Sequence, residues 1–382
     1  MEITVGKRVM IIAGEASGDL HGSALVREVL ALDSSIAFLG IGGPRMRNAG
    51  VETLVDARDM AVVGLVEVIA YFPAIYHAFR KMESILTADP PDLLLLIDYP
   101  DFNLRLAAIA QRCGIKVLYF ISPQVWAWRV GRVKKIARLV DRMAVVFPFE
   151  VPFYEKEGVR VNFVGHPLVD TVRPTMSLEE SRQSFGIDPG RKTVGIFPGS
   201  RKQEIRTHLP LLLESADGLR ERFPGLQFIL PVASSLSRSD LEPFLEVSDV
   251  PVIVVEGKEY DVIQVCDAIV TVSGTVTLEI ALLGVPMVVV YKVSPLTYMV
   301  GKRLIRVDSI GICNIVAGEK VVKELIQHDA SRENIVKEVS LLLSDDGYAA
   351  KIREKLHSVH RKLGEGGCSG AVAKIVMEML AE

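Results

Sequence analysis

Uninterrupted apolar, β-branched runs recur along this chain in two series, and a helical pattern follows each run. In the first half they fall at residues 9–13, 36–41, 93–97, 117–121, 143–147 and 161–164. In the second half they fall at 193–197, 227–231, 252–255, 268–272 and 287–291. A strand that is apolar at every residue, rather than at alternate ones, is buried on both faces, which requires a parallel sheet covered by helices on each side. The expected class is therefore α/β, with two doubly wound parallel-sheet domains. Open sheets of this kind bind ligands beyond the carboxyl ends of their strands, so two of them facing each other enclose a cleft.

At 382 residues the chain is long enough for two such domains. The rhythm pauses near Gly165-His166-Pro167-Leu168 and the polar stretch 173–181, then restarts, while 331–382 reads as helix alone. The expected division is 1–170, 171–345 and a helical tail, 346–382. A net charge of −3 argues against wholesale nucleic-acid binding. Four scattered cysteines without a Cys-x-x-Cys pair give no zinc or disulfide framework and fit a reducing cytoplasm. No stretch reaches the roughly 20 apolar residues of a spanning helix, and the first seven residues are too short for a signal peptide.

Two Gly-rich loops in the second half carry the strongest chemical signal: Phe197-Pro198-Gly199-Ser200-Arg201 and Ser273-Gly274-Thr275-Val276. Each joins an apolar run to a helical pattern. A small-residue turn ahead of a helix presents unpaired N–H groups at the positive end of the helix dipole, which suits phosphate. Arg201 adds a guanidinium, and Ser200, Ser273 and Thr275 add hydroxyls. Glu279 lies one turn after Thr275, where a carboxylate can accept from the paired hydroxyls of a ribose. Two phosphate loops and a hydroxyl reader imply a nucleoside diphosphate.

Polar groups also crowd the strand ends of the first half. In Gly14-Glu15-Ala16-Ser17-Gly18-Asp19-Leu20-His21 the candidates are Glu15, Ser17 and Asp19, with a helix expected to begin near Asp19. The spacing does not match a dinucleotide fingerprint. In Asp98-Tyr99-Pro100-Asp101-Phe102-Asn103, Asp98 ends a strongly apolar run. It reads either as a strand-end cap or as a general base for an attacking hydroxyl. Ser122-Pro123-Gln124-Val125-Trp126-Ala127-Trp128-Arg129 holds both tryptophans, which read as core or as the wall of a sugar or acyl pocket. Arg129, Arg132, Lys135, Arg138 and Arg142 recur at helical spacing, as a solvated face or as a contact for anionic headgroups. The segment 60–80 is apolar on more than one face, through Val66, Val68, Ile69, Phe72, Ile75 and Tyr76, and is broken by Glu67 and Pro73. It reads as a pair of core helices or as a segment dipping into a membrane interface.

These words together resemble the lipid-A-disaccharide synthase family, inverting glycosyltransferases built from two Rossmann-like domains (the GT-B fold). The matching words are Gly14–Asp19, Gly43-Pro44-Arg45-Met46, residues 63–68, residues 98–103, residues 122–129 and Phe163-Val164-Gly165-His166. In the second half they are Pro198-Gly199-Ser200-Arg201, Ser273-Gly274-Thr275 with Glu279, Asn314, and Glu324-Leu325-Ile326-Gln327. The phosphate loops are shared by many sugar-nucleotide enzymes; the words around Asp98 and Trp126 are far more specific. One departure is Ile312-Cys313-Asn314 where the family usually reads Leu-Pro-Asn, which leaves the stiffness of that loop open while Asn314 remains.

The resemblance implies UDP-2,3-diacylglucosamine as donor and 2,3-diacylglucosamine 1-phosphate as acceptor, yielding a β-1,6-linked disaccharide 1-phosphate and UDP. It implies action at the cytoplasmic surface of the inner membrane, on an anionic membrane surface. The C-terminal helices either cross back or swap between the protomers of a homodimer. Asp98 is then the catalytic base, and Glu15, Ser17, Asp19, Asp101, Asn103, Gln124, Trp126 and Trp128 face the acceptor. Gly199, Ser200, Arg201, Ser273, Gly274, Thr275, Glu279, Asn314, Glu324 and Gln327 hold the UDP-sugar. No cofactor or metal is expected. Two rivals share the phosphate loops: another sugar-nucleotide enzyme on this scaffold, and a nucleotide-sensing adaptor without turnover.

Overall fold

A computed structural model describes residues 6–60, 65–123, 132–294, 298 and 309–382, with the side chains of 65–71 outside that description. Among the described residues thirteen strands form two sheets, every pairing parallel. The first sheet comprises β1 (Arg8–Ala13), β2 (Ala37–Gly42), β3 (Val51–Asp56), β4 (Leu93–Ile97), β5 (Lys116–Phe120), β6 (Arg142–Val145) and β7 (Arg160–Phe163), in the order β3-β2-β1-β4-β5-β6-β7. The second comprises β8 (Thr193–Phe197), β9 (Gln227–Val232), β10 (Val252–Glu256), β11 (Ala268–Val272), β12 (Met287–Tyr291) and β13 (Lys323–Ile326), in the order β10-β9-β8-β11-β12-β13.

Nine of the eleven apolar runs become the central strands for the reason the pattern implies, while 161–164 and 252–255 form the partly buried edge strands β7 and β10. Val9 to Ala13 and Leu93 to Leu96 are wholly buried. On one face of the first sheet Met10, Ile12, Leu94, Leu96, Tyr119 and Met143 join Met82, Leu106 and Ile136 of the covering helices in one cluster. The two strands absent from the expectation, β3 and β13, are both edge strands, and their sequences Val-Glu-Thr-Leu-Val-Asp and Lys-Glu-Leu-Ile are too polar to announce a doubly buried strand.

The chain divides into two compact units. One is Met1–Pro167 with Gly364–Glu382; the other is Leu168–Leu363. The helical tail is present as Arg332–Ser344, Asp346–Leu363 and Cys368–Ala381. The expected boundary at 345/346 moves to 363/364, because Asp346–Leu363 packs on the helices Val276–Leu282 and Ile312–Ala317. Cys368–Ala381 instead packs on Ala16–Leu32, and Arg142 on β6 reaches its Glu378 at 2.6 Å.

Two further expectations are corrected. The basic residues do not share one helix: the described helix is Arg132–Ala137, a tight turn follows, and Arg142 belongs to β6. The apolar segment is one helix, Leu65–Ala88, running through Pro73. Ile75 packs against the core, whereas Phe72 and Tyr76 are 61% and 52% exposed with their rings stacked 6.4 Å apart. Val66, Val68 and Ile69 fall among the undescribed side chains.

Candidate active site

In each sheet the strand order reverses at one point, between β1 and β4 in the first and between β8 and β11 in the second. Loops leaving two adjacent strands there diverge to opposite faces and leave a crevice. The loops that carry Glu15, Asp98, Ser200 and Ser273, after β1, β4, β8 and β11, start at these two points.

In the second unit both Gly-rich loops line one cavity of about 470 Å³. Gly199 sits at φ +115°, a conformation that penalises a side chain. Ser200 and Arg201 lead into the helix Lys202–Arg222 and are exposed, as is Thr275 at the start of Val276–Leu282. Glu279 lines the same cavity. Burial and the charge of Glu259 push its carboxyl up to about 7, against a lowering hydrogen bond from Tyr260. Glu204, Ser234, Ser235, Glu259 and Tyr260 also line it and were not anticipated. They come from the first turn of one helix and from beyond β9 and β10, so only the fold assembles them.

Four expected donor ligands are otherwise engaged. The Ser273 hydroxyl donates to the Ile310 carbonyl at 2.7 Å. Glu324 accepts from the N–H groups of Ile310 and Gly311 at 3.0 and 2.9 Å, and from Asn314 Nδ2 at 2.8 Å. Asn314 is buried, and its Oδ1 accepts from Val321 and Val322 N–H. Gln327, at φ +54°, spends both ends of its amide on the backbone of Val293. A polar residue beyond a strand end reads the same in sequence whether it turns outward or inward, and these turn inward. Through Ile310 the Asn314–Glu324 pair braces Ser273 and its loop. Ile312–Ala317 is a formed helix in which Cys313 takes a first-turn position, so the missing proline does not undo the loop.

In the first unit Asp98 and Tyr99 both adopt left-handed backbone, at φ +45° and +47°. Such residues cost about 1–3 kcal/mol each and persist only where neighbours enforce them. The Asp98 carbonyl accepts from Asn103 Nδ2 at 2.7 Å and from the Tyr119 hydroxyl at 2.5 Å, and the Asp98 N–H donates to Phe120 O at 3.2 Å. Tyr99 donates to the Met60 carbonyl at 3.2 Å, and its ring lies against Gly14, where a Cβ would come within 2.7 Å. The backbone of Asp98 is thus clamped while its carboxyl is pushed up to about 6, by burial first and by the charge of Glu15 second; the Tyr99 N–H opposes both. Glu15 and Ser17 are exposed at the start of Ala16–Leu32.

Three acceptor-side candidates are engaged with groups of the protein itself. Asp19 is buried inside that helix, which begins at Ala16, and its carboxylate accepts from Gly43, Arg45 and Met46 N–H at 2.7, 3.1 and 3.0 Å. It anchors the turn after β2. Asn103 is buried and acts on the Asp98 backbone. Asp101 is exposed and pairs with Arg132 at 2.5 Å. Gln124, Trp126, Trp128 and Arg129 lie outside the described residues. The start of their loop is held by Ser122, whose hydroxyl is 2.8 Å from Glu150 Oε1 and 2.9 Å from the Tyr154 hydroxyl. Asp19→Ala strands two buried N–H groups and a part-buried one and is expected to cost about 3 kcal/mol in urea unfolding, with Asp19→Asn recovering part of it.

Among the described residues no group of three His, Cys, Asp or Glu side chains could hold a metal ion, and no helix is long and apolar enough to cross a membrane.

Residues 9–376 match the sequence profile described as Lipid-A-disaccharide synthetase. The Lipid-A-disaccharide synthase of Geobacter sulfurreducens is 66% identical over 375 residues, covering 98% of each chain. Solved structures with the same fold include an S. aureus MnaA–UDP complex, at TM-score 0.66 and 13% identity over 98% of each chain. Another is the calicheamicin glycosyltransferase CalG4, at TM-score 0.62 and 16% identity over 99% of each chain. At such identities these two speak for the fold alone.

Proposed function

Because the chain belongs to the lipid-A-disaccharide synthase family, we infer that it joins UDP-2,3-diacylglucosamine to 2,3-diacylglucosamine 1-phosphate. The products are the β-1,6-linked disaccharide 1-phosphate and UDP. The observation that carries the donor half of this reading is the single cavity lined by both Gly-rich loops and Glu279. Its dimensions and its helix N-termini suit a uridine diphosphate.

The reaction is a direct displacement. The acceptor 6-hydroxyl attacks the anomeric carbon from the face opposite the leaving group, Asp98 takes the hydroxyl proton, and the anomeric C–O bond breaks with its electron pair leaving on UDP. Inversion of an α-linked donor gives the β product. Asp98 suits the base role because its raised affinity for a proton is still compatible with ionisation at neutral pH. Arg201 and the N–H groups of residues 200 and 275–276 oppose the charge that grows on the diphosphate. Glu279 accepts from the ribose. Asn314, Glu324 and Gln327 serve at one remove, by holding the loops that carry Ser273 and Val293.

Acylated substrates reside in a membrane, and the exposed Phe72–Tyr76 pair is the apolar surface offered to its interface. Replacing both by Ser is expected to reduce sedimentation with anionic vesicles by about tenfold or more. The melting temperature should hardly move, since neither ring is in the core. The activity itself is tested by incubating the purified protein with both acylated sugars and weighing the product. A disaccharide 1-phosphate released with one UDP supports the reading; UDP release without acceptor, or an epimerised donor, contradicts it.

A further inference from the structure

Glu204 lies in the donor cavity in a place where a second anion is unwelcome. It belongs to the first turn of the helix Lys202–Arg222. Its Oε2 accepts the Ser200 N–H at 2.9 Å, and its Oε1 stands 3.4 Å from the Arg201 guanidinium. These are the groups that a diphosphate at this loop would use. Gly199 completes the nest: a Cβ there would come within 2.4 Å of Glu204 Oε2, so glycine is what admits the carboxylate.

Ordinary helix capping does not account for this contact. A capping-box glutamate returns to the N–H of the N-cap residue, which here is Arg201, whose carbonyl accepts the first helical bond from Ile205 N–H. Glu204 reaches one residue further back, onto the phosphate loop itself. Nor is the cavity short of negative charge. Among its described lining residues Arg201 is the one Lys or Arg, against Glu204, Glu259 and Glu279.

We propose that Glu204 is an internal stand-in for the donor's diphosphate. It holds the loop in its binding form while the cavity is empty, gives up Ser200 N–H and Arg201 when the diphosphate arrives, and reclaims them to expel UDP after transfer. This rests on the donor-site reading above. It makes Glu204 a positioning residue that trades affinity for release.

The test is UDP binding by calorimetry at pH 8 in wild type and Glu204→Gln. Glutamine still accepts the Ser200 N–H through Oε1 but carries no charge. UDP is expected to bind the variant about tenfold or more tightly than wild type, while uridine, lacking phosphates, binds both equally. The constant for product inhibition by UDP should fall in step. Unchanged or weaker UDP binding in a variant that melts like wild type overturns the proposal. Should the variant not fold, a crystal structure of the wild type with UDP decides. Glu204 displaced from Ser200 supports the proposal, and Glu204 still on Ser200 beside a bound diphosphate overturns it. A wild type that binds no UDP overturns the donor-site reading, and this inference with it.

Discussion

Asp98→Asn is expected to lower turnover by about 10²–10⁴-fold, the usual worth of a general base, while UDP binds as well as to wild type. The substitution keeps the size of the side chain and leaves untouched the carbonyl held by Asn103 and Tyr119. A loss of turnover therefore reports on the proton acceptor and not on a collapsed turn. The pH dependence gives a second readout. A base works when ionised, and this carboxyl is pushed up to about 6, by burial and then by Glu15. Wild-type kcat/KM should fall as pH drops through about 6, and the Asn variant should lose that part of the fall and keep only the limb that Glu279, pushed up to about 7, contributes. The stability effect has the opposite sense. Because the folded-state value lies above the ordinary one, the ionised carboxylate opposes folding above about pH 6, and the opposition fades as pH falls. Asp98→Asn should accordingly be more stable than wild type at pH 8, and the difference should shrink toward pH 4.

The second large effect belongs to Arg201. Its side chain is 71% exposed, and its one ion pair among the described residues, with Glu204 at 3.4 Å, is of the kind that adds little to stability. Arg201→Ala should therefore melt within a degree or two of wild type. In the reaction it opposes charge that grows as the sugar–phosphate bond breaks, and loss of one such group typically costs about 10²–10³-fold in kcat. Arg201→Lys should recover only part of this, because an ammonium lacks the planar fork that grips two phosphate oxygens. A rise confined to the donor KM, with kcat intact, would assign Arg201 to ground-state binding alone.

The central strands were legible because burial on both faces leaves few polar residues in them, as in Leu93–Ile97, which has none, and Thr193–Phe197, which has one. The edge strands β3 and β13 escaped because one side of an edge need not be apolar. The loops were legible for a related reason. Glycine and hydroxyl residues directly after a buried strand have few structural purposes, and the topology does gather residues 199–201 and 273–279 around one cavity. The direction of individual side chains was not legible. Asp19, Asn103, Asn314 and Gln327 sit beside strand ends just as Asp98 and Glu279 do, yet each turns inward to satisfy backbone groups that the loops leave unpaired. Glu259 and Tyr260 were invisible because nothing local marks them; they reach the cavity through sheet order, whereas Glu204 comes from the first turn of the helix that the first loop opens.

The claim on which the rest depends is that the crevice between β8 and β11 is the nucleotide site. A crystal structure of the protein with UDP tests it most directly. The expected result is a diphosphate against the N–H groups of residues 200 and 275–276, with the ribose hydroxyls on Glu279. UDP lodged in the first unit, or bound in the second without touching either Gly-rich loop, would contradict it.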